Sequence, residues 1–167
     1  MRSTKSQFPD RSGLRAFTVI EIMIAVLIIG LLAAMAIPAF TRMKETSRAV
    51  AFVNDLRIAS DAFNTYAATE GIWPPDAEGT LPAEIDGYLK LDLWNGATPL
   101  GGSWDWDVDK FGAAAGISVH QPTANITTME MVDKRIDDGN LGTGTFRTRA
   151  DGFIFIIEFP PVVEEEV

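Results

Sequence analysis

One carboxylate stands inside the most apolar stretch of the chain. Glu21 lies within residues 17–40, a run of 24 residues that is otherwise almost wholly apolar. An ionised carboxylate near the centre of a bilayer costs roughly 2.5 to 3.5 kcal/mol, so such a residue usually marks a functional contact with a positive charge. No Lys or Arg lies in the run to supply that charge. Glu21 therefore predicts ion pairing with a cation that comes from elsewhere.

Proteolysis of the chain itself would create such a cation. A cut just before Phe17 would free its amine four residues from Glu21, on the same helix face or against a neighbouring helix. At about 4 Å and an effective dielectric near 20, the two charges attract by about 4 kcal/mol before desolvation is included. This attraction is about the size of the insertion penalty, so the pair would make Glu21 tolerable in the membrane.

The element that must position this pair is a membrane-spanning helix. At 1.5 Å per residue, a helix over 17–40 is long enough to cross the ~30 Å hydrocarbon core. A buried core helix would need a larger protein around it, and an interfacial helix would need a polar face. A secretory signal cleaved at Ala34-Met35-Ala36, or a plain anchor, remains open, but neither of them gains anything from Glu21.

Basic residues flank the apolar run on both sides. The positive-inside rule compares such flanks to orient a membrane helix. The two counts nearly tie, so charge alone leaves the orientation open. Four bases precede the run and three follow it: Arg2, Lys5, Arg11 and Arg15, then Arg42, Lys44 and Arg48.

The segment Arg15-Ala16-Phe17-Thr18-Val19-Ile20-Glu21 resembles the prepilin processing motif of type IV pilins and type II secretion pseudopilins. The resemblance implies that a prepilin peptidase cuts between Ala16 and Phe17 and that Phe17 is N-methylated. It also implies that Glu21 pairs with the amine of an adjacent subunit during assembly. Ala16 departs from the family, which strongly prefers Gly before the cut.

Two further positions in the run fit the same family. Gly30 and Pro38 stand where its members commonly have a helix-breaking Gly and a Pro. Proline removes one backbone hydrogen bond of a helix, which loosens the helix at that point. The alternative is the ordinary tolerance of membrane helices for Gly and Pro.

The resemblance also implies partners and a location. The expected partners are other copies of the chain, related pilin-like subunits, prepilin peptidase, an inner-membrane assembly platform and membrane lipid. The expected location is the bacterial inner membrane, with one span, a cytoplasmic leader and a periplasmic or extracellular head. The absence of cysteine favours a type II secretion pseudopilin over a true pilin, although the tryptophan-rich stretch 94–106 leaves a minor pilin or a divergent pseudopilin open.

Composition argues against other classes of function. A net charge of −9 disfavours nucleic acid as a partner, because phosphate binding needs clustered Lys and Arg. The chain has no cysteine and a single histidine, His120, and it has no Gly-rich phosphate loop, so we expect no enzyme. The alternative from another class is an exported or membrane-anchored binding domain without a filament role.

The rest of the chain predicts a small head. Apolar residues spaced three or four apart extend the helix to about Thr69, where Gly71 and a Pro pair end it. A short helical or irregular piece follows at 81–89, and strands are predicted over 103–109, 115–120, 146–149 and 152–159, the last two joined by an Asp-Gly turn. A short helix is predicted to open with a capping box at Thr127 and to end at Gly139.

The predicted fold class is α+β: a long N-terminal helix, half transmembrane and half amphipathic, packed on a small antiparallel sheet as in the pilin family. Function would come from assembly, with the apolar helices in the filament core and the heads at its surface. The expected segments are a leader 1–16, a transmembrane helix 17–40, its amphipathic continuation 41–70, a globular head 71–160 and an acidic tail 161–167.

Two groups of acidic residues invite a metal hypothesis. Asp105, Asp107 and Asp109 alternate along a predicted strand, but the Gly and Glu that an EF-hand loop needs are missing, so a solvated strand face is expected. Asp137, Asp138 and Asn140 lie in a late loop, where major pseudopilins resemble this chain in holding calcium. A polar turn explains the same residues, so they are weak calcium candidates and no other cofactor is expected.

Overall fold

The computed structural model describes residues 17–161. The expected leader 1–16, with Ala16, and most of the expected acidic tail, 162–167, lie outside the described residues. The described chain divides between Thr41 and Arg42 into two compact units. Its elements in chain order are α1 (Val19–Glu70), a 3-10 turn (Ala83–Ile85), α2 (Leu91–Asn95), β1 (Ser103–Lys110), β2 (Ala113–His120), α3 (Ile126–Ile136), β3 (Phe146–Arg149) and β4 (Gly152–Glu158).

The long helix forms as the sequence predicts. Its C-terminus is fixed by Gly71, which adopts φ 77° and donates its N–H to the carbonyl of Ala67 at 2.8 Å. Only a residue without Cβ enters this left-handed conformation at little cost, which explains why the helix stops at Glu70.

The four strands form one antiparallel sheet in the order β1-β2-β4-β3. Three consecutive pairings hold it together, with Trp106 opposite Ile117, Ile117 opposite Phe155, and Phe155 opposite Phe146. Residues 42–70 of α1 pack on this sheet through their apolar face. The α+β class predicted from the sequence is therefore confirmed.

Aromatic stacking joins the helix to the sheet. The ring of Phe52 stacks on Trp104 at 5.0 Å between centroids, and that of Phe63 stacks on Trp106 at 3.8 Å. Trp104 and Trp106 are two residues apart, so both side chains point to the helix-facing side of β1. The tryptophan-rich stretch is thus the centre of the head's core.

Two local predictions need correction. Helix α3 is capped by Asn125, whose side chain accepts the N–H of Thr128 at 2.9 Å, so the capping box expected at Thr127 is wrong. Asn is as good a cap as Ser or Thr, and here it caps the helix two residues earlier than expected. The final hairpin is confirmed, but its turn residues are Ala150 and Asp151, because Gly152 already pairs with Arg149.

The outer face of β1 also differs from expectation. Asp105 and Asp107 were expected on a solvated strand face, but their side chains are only 12% and 2% exposed. The loop after α1 covers them: Gly79 donates its N–H to Asp105 at 3.0 Å. The hydroxyl of Ser118 also donates to Asp107. Only Asp109 is exposed, so the predicted solvated face is wrong for the first two acids.

Arg149 forms ion pairs with both buried acids. Its guanidinium lies 2.7 Å from Asp107, 3.3 Å from Asp105 and 2.9 Å from Asp151, and its side chain is 4% exposed. The ring of Phe111 lies over it, with 4.5 Å between the ring centroid and the guanidinium carbon. Arg149 is on β3 and two of the acids are on β1, so this one side chain links the two edge strands of the sheet. The chain has no cysteine, so no disulfide can make such a link.

Candidate functional site

The first turn of α1 holds Glu21 by hydrogen bonds to Thr18. The carboxylate of Glu21 accepts the backbone N–H of Thr18 at 3.3 Å and its hydroxyl at 3.4 Å. In return, the N–H of Glu21 donates to the hydroxyl oxygen of Thr18 at 3.3 Å. This reciprocal arrangement is a capping box, in which the side-chain oxygen of each of the two residues accepts the backbone N–H of the other.

Sequence reasoning missed this second role for Glu21. The pattern Thr18-x-x-Glu21 before an apolar run is the standard sequence mark of a capping box, so it was visible. The cap gives the carboxylate partners inside its own chain and places it at the positive end of the helix dipole. It therefore lowers the cost of the charge and holds the carboxylate at Thr18, the residue after Phe17.

The helix surface around this turn is apolar and exposed. Residues 17–44 are all exposed, and the most apolar part of α1 has none of its residues buried. Among the described residues, α1 is the one helix long and apolar enough to cross a membrane, judged by length and composition. Exposed apolar surface of this extent marks contact with membrane or protein.

Gly30 and Pro38 lie inside α1, and the helix continues through both. A Cβ added at Gly30 would meet no atom within 4 Å, so no contact among residues 17–161 requires glycine there. A local opening of the helix at these two positions stays a prediction about the assembled state.

The calcium candidates lie close together in the loop between α3 and β3, but their carboxylates already accept hydrogen bonds from the loop itself. The carboxylate of Asp137 accepts the backbone N–H and the hydroxyl of Thr145. The carboxylate of Asp138 accepts the N–H of Asn140 and the hydroxyl of Thr143, both at 2.7 Å, and these bonds lower its pKa. Within residues 17–161, no group of three or more acidic or histidine side chains has the geometry to hold a metal.

Asp133, next to this loop, has a different environment. Its side chain on α3 is fully buried, and neither carboxylate oxygen has a hydrogen-bond partner of normal geometry. Burial raises the pKa of Asp133, and the nearby carboxylates of Asp138 and Asp137 raise it further. An ionised Asp133 is therefore a cost to the folded head.

We expect Asp133→Asn to stabilise the head at neutral pH by about 1 kcal/mol, because it removes a buried charge without partners. The pKa of Asp133 in the folded chain lies above the usual 3.8. The stability that protonated Asp133 contributes is therefore fully present below pH 3.8 and is lost as the pH rises through the folded pKa. The gain should therefore be full at neutral pH and vanish near about pH 3.

Urea unfolding of the full chain in detergent checks this, with tryptophan fluorescence as the readout, since all four tryptophans lie between residues 73 and 106. Asp137→Asn is the control, because that carboxylate is hydrogen-bonded to Thr145 and its loss should destabilise the loop. An equal gain for Asp133→Asn at both pH values would show that charge is not the cause.

Asn125, the first residue of a glycosylation triplet, is occupied by structural contacts. Its side chain caps α3 and also donates to the carboxylate of Glu45 at 2.9 Å.

A polar cleft of about 430 Å³ opens beside Arg149. Its charged groups are largely paired with one another: His120 lies 2.7 Å from Asp151, and Lys110 lies 2.7 Å from Asp76. Burial acts to raise the pKa of Asp151, but its interactions with Arg149 and His120 together hold that pKa below its usual range. The arrangement is that of a structural ion-pair network.

Comparison with known proteins shows the family of this chain. It is 35% identical over 104 residues to the fimbrial protein EcpC of Eikenella corrodens, which covers 62% of this chain and 68% of that protein. A solved structure, the major type IV pilin PilA1 from Clostridium difficile, matches 67% of this chain and 94% of its own with 14% identity and a TM-score of 0.49. No family model matches the chain. On the first of these likenesses, the chain belongs to the type IV pilin-like family.

Proposed function

We propose that this protein is a structural subunit of a filament, either a type II secretion pseudopilus or a type IV pilus-like fibre. The observation that carries the proposal is Glu21, an acid held in the first turn of an exposed apolar stretch of helix, four residues after Phe17. A helix whose N-terminal apolar stretch, residues 17–44, is exposed throughout needs lipid before assembly and other helices after it. The relative named a fimbrial protein supports the same function.

Processing precedes assembly in this proposal. A prepilin peptidase cuts between Ala16 and Phe17, the new terminal amine is methylated, and an inner-membrane platform adds the subunit to the filament. The amine of one copy then pairs with Glu21 of its neighbour, which replaces or supplements the contact with Thr18. The head, on the periplasmic or extracellular side, forms the filament surface.

The way the sheet of the head is held together bears on whether the filament is a pseudopilus or a pilus. With no cysteine, the sheet is braced by Arg149 instead of a disulfide, which favours the pseudopilin reading. The proposed role is structural and not enzymatic, since assembly alone accounts for the chemistry at Phe17 and Glu21. The rival, an exported or anchored binding domain, leaves Glu21 without a partner charge.

The mass of the mature N-terminal peptide from the protein's own cells tests this proposal. We expect a peptide that begins at methylated Phe17. A start at Ile37 would mean secretory cleavage and an exported protein, and an intact Met1 would leave only a membrane anchor. Either of these two results would contradict the proposed pathway.

A further inference from the structure

Three bases follow the apolar run and have no acidic partner. Arg42, Lys44 and Arg48 are exposed, and none of them forms an ion pair within the part of the chain that the structure describes. We call these three residues the basic collar. They are notable in a chain whose net charge is −9.

One acidic residue, Glu45, lies between the bases of the collar in sequence, and it contacts the head instead of these bases. Glu45 is the only acidic residue between 41 and 48, and its carboxylate accepts a hydrogen bond from the Asn125 side chain at 2.9 Å. The head thereby holds the Glu45 side chain, and the three bases against this one acid leave the segment with a net positive charge. Two exposed apolar side chains accompany it: Met43, 70% exposed, and Ile126, 57% exposed and next to Asn125.

The position of the collar along the helix fits the headgroup layer of a membrane. Its residues follow Phe40, the last residue of the apolar run, by two, four and eight positions. At 1.5 Å per residue these positions lie about 3, 6 and 12 Å beyond the run, and the headgroup layer is roughly 5 to 8 Å deep. Helical side chains lean toward the helix N-terminus, so that of Arg48 leans back toward this layer.

We propose that Arg42, Lys44 and Arg48 bind the phosphate groups of anionic lipids on the side of the membrane that carries the head. The proposal rests on the proposed function, which places residues 17–40 across the bilayer. Bases on the translocated side oppose that orientation under the positive-inside rule, so a contact that stabilises them there is needed. Guanidinium and ammonium groups bind phosphate by charge-assisted hydrogen bonds, and exposed Met43 and Ile126 suit the adjacent interface.

The test uses the full chain, reconstituted into vesicles of equal parts phosphatidylglycerol and phosphatidylcholine. Resistance to carbonate extraction first confirms insertion; the chain is then extracted in mild detergent, and the lipid that stays bound is counted by mass spectrometry. We expect the wild-type chain to retain phosphatidylglycerol selectively. Each base near an anionic surface contributes on the order of a fivefold preference, so the triple change Arg42→Gln, Lys44→Gln, Arg48→Gln should lower the retained anionic lipid at least fivefold.

The matched control removes the same charge elsewhere. Lys90, Lys134 and Arg135 are exposed and form no ion pair among residues 17–161, so their replacement by Gln should leave lipid retention unchanged. Equal retention by the collar variant, or equal loss in the control, would overturn the proposal. So would a collar variant that keeps its lipid but fails to enter filaments, since the collar would then contact a second copy of the chain.

Failure of the collar proposal can be told apart from failure of the proposed function. Lipid retention is measured on single inserted chains, so it does not depend on cleavage, methylation or assembly. A chain that resists carbonate extraction but shows no lipid preference overturns only the collar. A chain that carbonate removes from the vesicles overturns both proposals.

Discussion

Replacing Arg149 with methionine is expected to lower the free energy of unfolding of the head by about 3 to 5 kcal/mol. The change keeps much of the side-chain volume but leaves the carboxylates of Asp105 and Asp107 buried without their cation. Removal of one partner of a buried ion pair is costly because the remaining charge is uncompensated. Loss of the contact with the Phe111 ring adds a smaller amount.

The pH dependence of this loss has a definite sign. Burial is the main cause that raises the pKa of Asp107, and Arg149 is among the groups that lower it. Without Arg149 the folded pKa of Asp107 rises further, so the variant binds more protons when folded and loses stability as pH rises through that value. The deficit relative to wild type should therefore be larger at pH 8 than at pH 5.

Arg147→Met is the matched control. Arg147 lies two residues earlier on β3, and its contacts are a carbonyl oxygen, that of Gly144 at 2.5 Å, and the ring of Phe159, with no carboxylate in ion-pair distance among residues 17–161. Its replacement should cost about 1 kcal/mol or less. Urea unfolding in detergent, followed by tryptophan fluorescence, compares the two variants.

A double-mutant cycle completes the test. Asp107→Asn should restore part of the stability lost in Arg149→Met, because it removes the carboxylate that the change leaves alone. Equal losses for Arg147→Met and Arg149→Met would show that the cross-sheet link contributes nothing of its own. Independent effects of Arg149→Met and Asp107→Asn would lead to the same conclusion.

This link is also the part of the fold that the sequence could not predict. Arg149 and Asp107 are 42 positions apart. Alternation of Trp and Asp along β1 correctly predicts a strand with one apolar face. It cannot show that the loop at Asp76 and Gly79 folds over the other face, where the two residues bond to Val108 and Asp105.

Local signals, in contrast, were sufficient for the main helix. Regular apolar spacing and Gly71 place the end of α1 within one residue, because a helix stop depends on a few neighbouring residues. The cap of α3 was misplaced by two residues because Asn125 and Thr127 are both good caps and only the tertiary contact with Glu45 distinguishes them. The capping box at Thr18 is also a local signal, because its two partners, Thr18 and Glu21, are only three residues apart.

The double role of Glu21 makes its charge the decisive variable for assembly. Glutamine serves as well as glutamate in a capping box, since its side-chain oxygen still accepts the N–H of Thr18. Glu21→Gln therefore keeps the cap and removes only the charge. Thr18→Val does the reverse: it removes the hydroxyl and keeps the carboxylate free to pair.

We expect Glu21→Gln to leave membrane insertion and cleavage before Phe17 intact but to lower incorporation into filaments at least tenfold. The reason is the lost attraction to a neighbour's amine, about 4 kcal/mol at 4 Å and an effective dielectric near 20 before desolvation is included. Glu21→Ala should be at least as defective, because it also loses the cap. Thr18→Val should assemble within a fewfold of wild type, since the helix-start bonds are worth about 1 kcal/mol.

Filaments sheared from producing cells, quantified against total processed subunit, measure all three variants on one scale. The N-terminal peptide mass for each variant confirms that any loss arises after cleavage. Normal incorporation of Glu21→Gln would rule out the charge pair and leave Glu21 as a helix cap. Equal defects in Glu21→Gln and Thr18→Val would mean that the shape of the first turn, and not its charge, controls entry into the filament.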